Sequence, residues 1–473
     1  MGASREKILI VAEAESTHKK TTHLADGLET PRRHWAVLTL LSALVVTVMD
    51  STVANVALPT IADDLDIDPA AAVWVVIAYS LTVVVCLLPF SAVAERIGFR
   101  RMFALGITVF MLGSLSSSLS ASVFALTLAR VVQGLGAAML MCLFGGLVRN
   151  IYPLRDLGFG LGLNAMVVGV TAVLGPTVGA FILTIAAWPW IFAVNVPVCL
   201  AIYFGIRFLP DVPMNKSRFD WIACGLSMLA FGLSIIGLDA LGKDLPLAAL
   251  CLVVAGLAGT VLVHRSRGQT APLVPVDLLR LRPVGYAVAA SAFSFASQMS
   301  AFVALPFYFQ QIMGYGYAEI GLLLGAWSVG VAVMAPIAGY LSNRYSIAVL
   351  CAIAAIGMAL GLLWIILLPL TADIVWVALA MLLGGVGFGF FQTPNNRAML
   401  TGAPRSRSGA AGGLQATTRV FGQSFGTALV ALAFGFSSTG GAMWGVIVAI
   451  GCALCALAIN IVRHFDPTPD FVL

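Results

Sequence analysis

The sequence predicts an all-α polytopic membrane protein: two six-helix bundles plus two extra transmembrane helices, 14 spans in all. Three observations predict it. Of 473 residues, 60% are hydrophobic and 10% charged, against about 25% charged in a soluble globular chain. The apolar residues gather into runs of roughly 17–28, against the ~20 that a helix needs to span a bilayer. Lys and Arg lie almost wholly on one side of those runs.

The elements follow in order. Residues 1–33 form a polar tail of mixed charge, read as cytoplasmic; no small-residue cleavage site follows the first apolar run, so no signal peptide is expected. The N-terminal bundle, 34–208, holds runs at roughly 35–58, 72–94, 102–120, 122–144, 158–184 and 188–208. Residues 209–283 hold two inserted spans, at roughly 220–240 and 246–263, and a cytoplasmic linker. The C-terminal bundle, 284–463, holds runs at roughly 284–311, 317–341, 347–369, 373–396, 409–435 and 441–462. Residues 464–473 form a second cytoplasmic tail.

With the N-terminus inside, 23 of the 26 Lys and Arg fall on the inner side. Lys243 alone falls in an outer loop, and Arg130 and Arg419 lie within spans. This asymmetry places both termini in the cytoplasm; the expected location is the plasma membrane, the inner membrane of a bacterium. The basic balance is therefore a topology signal, and nucleic acid is not an expected partner. All eight cysteines fall in apolar runs and read as buried hydrophobes, not disulfides. Cys452 and Cys455 form a CxxC with no histidine nearby, and no metal is expected.

The stretch Leu41–Pro59 is long and apolar enough to lie in a bilayer, yet Asp50 sits inside it. A carboxylate at membrane depth costs at least about 2.5 kcal/mol on insertion scales, so chains carry one mostly where it faces a partner or a water-filled path. Asp50 is the only acid placed deep in a predicted span. It is the candidate proton carrier; an Asp locked to an Arg to hold two helices together is the alternative. Asp239 and Glu319, at outer span ends, are second-rank carriers.

In the fourth span, Leu128-Ala-Arg130-Val-Val-Gln133-Gly134, Arg130 and Gln133 share a helical face. Arg130 and Asp50 each lie about eight residues from the outer ends of their spans, which places both roughly 12 Å below the outer surface. An ion pair or a shared water site fits that geometry.

After the second span comes Ser91-Ala-Val-Ala-Glu95-Arg96-Ile-Gly98-Phe-Arg100-Arg101. An acid near a helix end can pair with Arg, and Gly98 permits a tight turn. Glu95, Arg96, Gly98 and Arg100 thus read as a gate latch; a plain positive-inside loop explains the arginines but not Glu95 and Gly98. Gly339–Ser346 repeats the pattern after the second span of the last six, with Arg344 where the first copy has Arg96. Repeated halves with a site at their interface mark secondary transporters. In the fifth span, Gly169-Val-Thr-Ala-Val-Leu-Gly175-Pro176-Thr-Val-Gly179, Pro176 removes a helix hydrogen bond and a kink is expected. Gly175 and Gly179 let a neighbouring helix come close.

Together these four patterns resemble the major facilitator superfamily, and more narrowly its fourteen-spanner drug:proton antiporter branch. Met49-Asp50-Ser51-Thr52-Val53-Ala54-Asn55-Val56-Ala57-Leu58-Pro59 is similar to that branch's first-helix pattern. The loop departs from the superfamily pattern, with Ser91 for Gly, Glu95 for Asp and Phe99 for the first basic residue. The Gly-Pro-x-x-Gly of the fifth span resembles a pattern associated with exporters. Trp188–Pro197 looks like the same branch. The resemblance implies the major facilitator fold and proton-coupled efflux of hydrophobic, often cationic drugs, dyes or antiseptics by alternating access. It also implies a monomer driven by the proton gradient, with no cofactor and with a small-molecule substrate and protons as partners.

The later spans carry the remaining candidates. Gln415, Arg419 and Gln423 repeat every four residues in the thirteenth span. That stripe reads as a cavity or domain-interface face; an Arg held by backbone carbonyls is the alternative. Gln392, Asn395 and Asn396 read as an inner vestibule or as helix capping. Phe295, Gln298 and Phe302 share a face of the ninth span and are cavity candidates by the resemblance, with packing aromatics as the alternative. Asn55, Tyr79 and Gln133 complete the substrate-cavity candidates.

No nucleophile–base pair, phosphate loop or metal cluster stands out, so an enzyme is not expected. The deep charges are one acid and two arginines, so an anionic or neutral metabolite fits as a substrate too. A non-transporting membrane sensor or scaffold is the other alternative, but it would not need Asp50, Arg130 and the Gly-Pro kink together.

Overall fold

A computed structural model describes residues 27–67, 69–212, 220–241, 244–267, 269, 272, 274–404, 407–436 and 440–466. Among these residues all regular structure is helical. Lipid offers the backbone no hydrogen-bond partners, so an unbroken helix is the element that suits these apolar runs. The first half holds α1 (Arg32–Asp64), α2 (Pro69–Ile97), α3 (Phe99–Ser118), α4 (Val123–Ile151), α5 (Leu157–Ile185) and α6 (Pro189–Phe208). A pair follows, α7 (Trp221–Ala240) and α8 (Leu245–Ser266). The second half holds α9 (Arg282–Ile312), α10 (Tyr317–Leu341), α11 (Ile347–Leu367), α12 (Ile374–Thr401), α13 (Ser408–Phe436) and α14 (Gly441–Phe465). Among the described residues, 12 stretches are long and apolar enough to cross a membrane. The other two long helices are α5 and α13, of 29 residues each.

The starts of the helices follow local chemistry. Ser122 accepts from the Ala125 amide at 3.2 Å and opens α4. Asp244 and Asp373 cap α8 and α12 in the same way. Asp220 caps α7 and is also gripped by Arg265 at 2.9 Å. The Arg265 hydrogen bonds are the main cause of holding its carboxyl at about 2. Asp63 and Asp64 form the last turn of α1. The helix runs on past its apolar stretch, and Trp188 Nε1 donates to Asp64 at 2.7 Å. The positive φ of Asp66, 50°, turns the chain away just beyond the helix.

Both described chain ends, and the arginine-rich turns, lie at one end of the bundle. There the Leu28 amide donates to Ile151 O, Arg33 pairs with Asp156, and Arg282 pairs with Asp466. At this end the buried apolar residues of both halves form one cluster, running from Ala36 and Leu40 through Leu143 to Met399 and Leu414. At the opposite end the core splits in two. One cluster centres on Val53, Ile61 and Phe192 in the first half, and the other on Leu305, Phe309 and Trp327 in the second. The halves are therefore packed together at the arginine-rich end and apart at the other.

Glycines set this wedge. Gly158 lies against Gly339, and Gly162 against Ala335, where α5 meets α10. Further along, a Cβ on Gly169 would stand 3.8 Å from the Ser328 carbonyl oxygen, so the helices have begun to part. Within the first half α5 packs on α1, where a Cβ on Gly175 would collide with the Thr52 hydroxyl and lie 2.9 Å from Thr52 Cβ. Overpacking of this kind costs about 1–3 kcal/mol. Gly175→Ala should therefore lower the thermal unfolding temperature. Thr52→Ala in the same chain should recover part of the loss, because it removes the hydroxyl that the new methyl meets first. Strict additivity of the two substitutions would mean that this contact is not formed.

Candidate functional site

The polar heart of the first half is a closed cluster around Asp50. Helices α1, α3, α4 and α6 each send one or two side chains into it. Asp50 is 3% exposed, and Arg130 and Gln133 are fully buried. Arg130 Nη1 donates to Asp50 Oδ2 at 2.6 Å and to Gln133 Oε1 at 2.7 Å. Gln133 Nε2 and Asn195 Nδ2 both donate to Asp50 Oδ1, at 2.8 and 2.9 Å. Ser114 Oγ accepts from both amides, at 2.6 and 3.3 Å. The carboxylate thus receives three donors, one of them charged.

Arg130 has supports independent of Asp50. Its Nε donates to the Val75 carbonyl at 3.2 Å. Its guanidinium lies 4.2 Å from the Tyr79 ring centre and 5.3 Å from that of Phe192. A desolvated cation over an aromatic face gains about 2 kcal/mol. The arginine can therefore stay in place when the carboxylate is neutral.

Two corrections follow. Tyr79 and Gln133 do not line an open cavity; they are buried members of this cluster, because the faces that bear them pack inward among α1–α4. Asn195, Ser114 and Phe192 are members that the sequence reading does not place. Asn195 carries a signal, since it follows Trp188-Pro-Trp190 where the chain breaks between two helical segments, Pro189–Ala193 and Asn195–Gly205.

Between the halves, at mid-bundle, lie two adjoining chambers. Both are lined by Ala165, Val168, Phe295, Gln392 and Arg419. Gln415 faces the first, and Gln298, Phe302 and Gln423 face the second. The predicted polar stripe of the thirteenth span thus lies on the chamber wall. Asn395 does not. It is fully buried, donates to the Ala287 carbonyl at 2.8 Å and faces Arg463. Its neighbour Asn396, about 100° round the helix, lines the first chamber instead.

The arginine-rich end closes the chambers with a buried ion pair between the halves. Glu95, at the end of α2, accepts from Arg407 Nη1 at 2.7 Å and from the Ala410 amide at 2.8 Å. The carboxylate therefore also caps the start of α13. Arg407 further grips Asp277 at 3.1 Å and the Pro272 carbonyl at 2.9 Å, in the segment leading to α9. Of the residues read as a gate latch, Glu95 bridges the two halves, and its partner is Arg407. Arg96 donates to the carbonyl of Ala92 on its own helix, and Arg100 reaches Asp211 at 3.7 Å on the surface. Gly98 has φ 93°, which lets the chain turn into α3. Ser91, the departure from glycine, is accommodated across the interface by Gly413, where a Cβ would lie 2.5 Å from that of Ser91.

The sequence profile of the Major Facilitator Superfamily matches residues 40–427. The chain belongs to that superfamily. It is 43% identical over 448 residues to the uncharacterized transporter YebQ of Escherichia coli, covering 94% of this chain and 98% of that one. It is 28% identical over 410 residues to the riboflavin transporter RibZ of Clostridioides difficile, covering 86% and 90%. It is 27% identical over 413 residues to the probable multidrug resistance protein EmrY of Escherichia coli, covering 85% and 80%. This chain is thus a multi-pass membrane protein of a transporter superfamily.

The remaining candidates sit as follows in this major facilitator fold. The side chains of Asn55, Pro176 and Asp239 lie outside the described residues, as does Lys243. Glu319 is exposed and accepts from the Gly316 amide at 2.7 Å as the cap of α10, a surface role rather than that of a buried carrier. Gly179 lies against α1, where a Cβ would meet Val53 Cγ1 at 3.0 Å.

Proposed function

We propose that this protein is a proton-coupled secondary antiporter that exports hydrophobic small molecules, drugs, dyes or antiseptics among them, by alternating access. It works as a monomer in the plasma membrane, the bacterial inner membrane, with both termini in the cytoplasm and no cofactor. Fourteen segments cross the bilayer: two rigid six-helix bodies, 34–208 and 284–463, and an inserted pair within 209–283. The end closed by Glu95 and Arg407 is cytoplasmic, so the conformation described here is outward-open.

The observation that carries this reading is Asp50, buried in the polar cluster of the first half and held by an arginine that has other supports. When Arg130 leans toward Tyr79 and Phe192, Asp50 can take a proton from the outer side. The neutral carboxyl no longer holds α4 and α6 to α1, and α1 is free to shift. Its outer part packs on α5 through Thr52 and Val53, and Leu44, more than two turns nearer the cytoplasm, lines the substrate chamber. A proton at Asp50 and a substrate in the chamber thus act on the same helix. The likeness to the probable multidrug resistance protein EmrY and the riboflavin transporter RibZ supports organic substrates, and RibZ favours a single metabolite as the second reading.

The test is transport in proteoliposomes with an imposed pH gradient. Ethidium, riboflavin and 2-naphthalenesulfonate are offered in turn. At least one should accumulate against its gradient, and an uncoupler should collapse that accumulation. Accumulation that persists with the uncoupler present would rule out proton coupling.

A further inference from the structure

Arg419 stands where the two chambers meet, and among the described residues it makes no hydrogen bond or ion pair. The alternative in which backbone carbonyls satisfy it is not what the structure holds. Among the described residues lining both chambers there is no Asp, Glu, Lys or His. The chamber wall therefore carries one uncompensated positive charge. A guanidinium does not lose its proton in a protein, and a charge withdrawn from bulk water without a partner is costly. Two more groups near it are unfilled. Asn396, 7% exposed, has a buried Oδ1 with no hydrogen-bond partner, and so has the Nε1 of fully buried Trp327. The second chamber also has an aromatic lining. Phe302 meets Trp327 edge-on at 5.6 Å, and Phe295 meets Phe388 at 5.2 Å.

We infer that this chamber is built for an aromatic organic anion. Its carboxylate or sulfonate sits on Arg419, its ring lies against Phe295 and Phe302, and the amides of Gln415 and Gln423 flank the charged group. This rests on the chamber being the substrate site of the proposed exporter, and it replaces the cation preference that resemblance to the drug antiporters implies. Two planar N–H groups on a carboxylate or sulfonate form a charge-assisted pair that a cation of the same shape cannot make. The Asp50 carboxylate, the only buried acid of the first half's cluster, offers a cationic ligand nothing, because three donors already enclose it.

Equilibrium dialysis of the purified full-length protein in detergent tests this with three probes of one shape: 2-naphthalenesulfonate, 2-naphthyltrimethylammonium and 2-naphthamide. Detergent alone serves as the blank. The sulfonate should bind at least ~10-fold more tightly than the trimethylammonium. Arg419→Gln should weaken the sulfonate about 10-fold or more and leave the amide within about two-fold, with Arg419→Lys in between. Equal or tighter binding of the trimethylammonium, no binding of the sulfonate, or a sulfonate affinity unmoved by Arg419→Gln would each overturn the inference. The wild-type comparison needs no variant, so a misfolded Arg419→Gln does not blunt the test. Equilibrium binding needs no gradient, so the anion preference can fail while proton-driven transport stands, and the reverse.

Discussion

Asp50→Asn should abolish proton-driven accumulation while leaving a folded protein that still exchanges substrate across the membrane. A proton entering down 100 mV and one pH unit supplies about 2.3 plus 1.4 kcal/mol, enough for a several-hundred-fold substrate gradient. The variant has no deep carboxyl to carry that proton, so it should build no gradient at all. The substitution is tolerable structurally because a neutral amide is cheaper to bury than a charge. Asp50 Oδ1 accepts from both Gln133 and Asn195, so the new NH2 group faces a donor on one side. An unsatisfied buried group of this kind costs about 1–3 kcal/mol, unless one of the neighbouring amides turns over. Substrate counterflow at equal pH on both sides should survive. Its loss, in protein of normal abundance and monodispersity, would mean that Asp50 is structural.

The second large effect is at the latch. Arg407→Ala leaves Glu95 buried without its cation, and removing one partner of a buried pair costs about 3–5 kcal/mol. The pair exists only where the two halves touch, so most of that cost falls on the conformation closed at this end. At about 1.4 kcal/mol per tenfold, the equilibrium should move toward the inward-open form by two to three orders of magnitude. Spin labels at the exposed positions Arg155 and Arg344, in turns at the arginine-rich end, report it. Their distance distribution should shift to longer values in Arg407→Ala. An unchanged distribution would show that Glu95 and Arg407 do not hold the gate. Glu95→Gln keeps an acceptor for Arg407 and Ala410 and should shift it less.

What is legible in the sequence is what is local. Asp50 and Arg130 can be paired by counting residues, because depth in a membrane helix is proportional to position along the chain. The polar stripe of α13 can be read because three long polar side chains at four-residue spacing in lipid need a reason. The partner of Glu95 cannot be read. Arg407 lies 312 residues away, and the nearer Arg96 has the same charge. Asn395 and Asn396 are equally eligible for the chamber, and one step of helical rotation decides between them. Tyr79 and Gln133 lie outside the cavity expected for them for a related reason. A polar residue in a span is costly wherever it points, so sequence shows that it has partners but not which. Ser114 raises no alarm, because a hydroxyl costs far less in lipid than a charge.

The central claim is that Asp50 trades its proton for substrate, and the most direct measurement is proton release in weakly buffered detergent. Purified protein is equilibrated just below neutral pH, and a substrate that the proteoliposomes accumulate is added. Wild-type protein should release protons with a saturation curve matching substrate binding, and Asp50→Asn should bind substrate and release none. Equal proton release from the two proteins would contradict the assignment of Asp50 as the carrier.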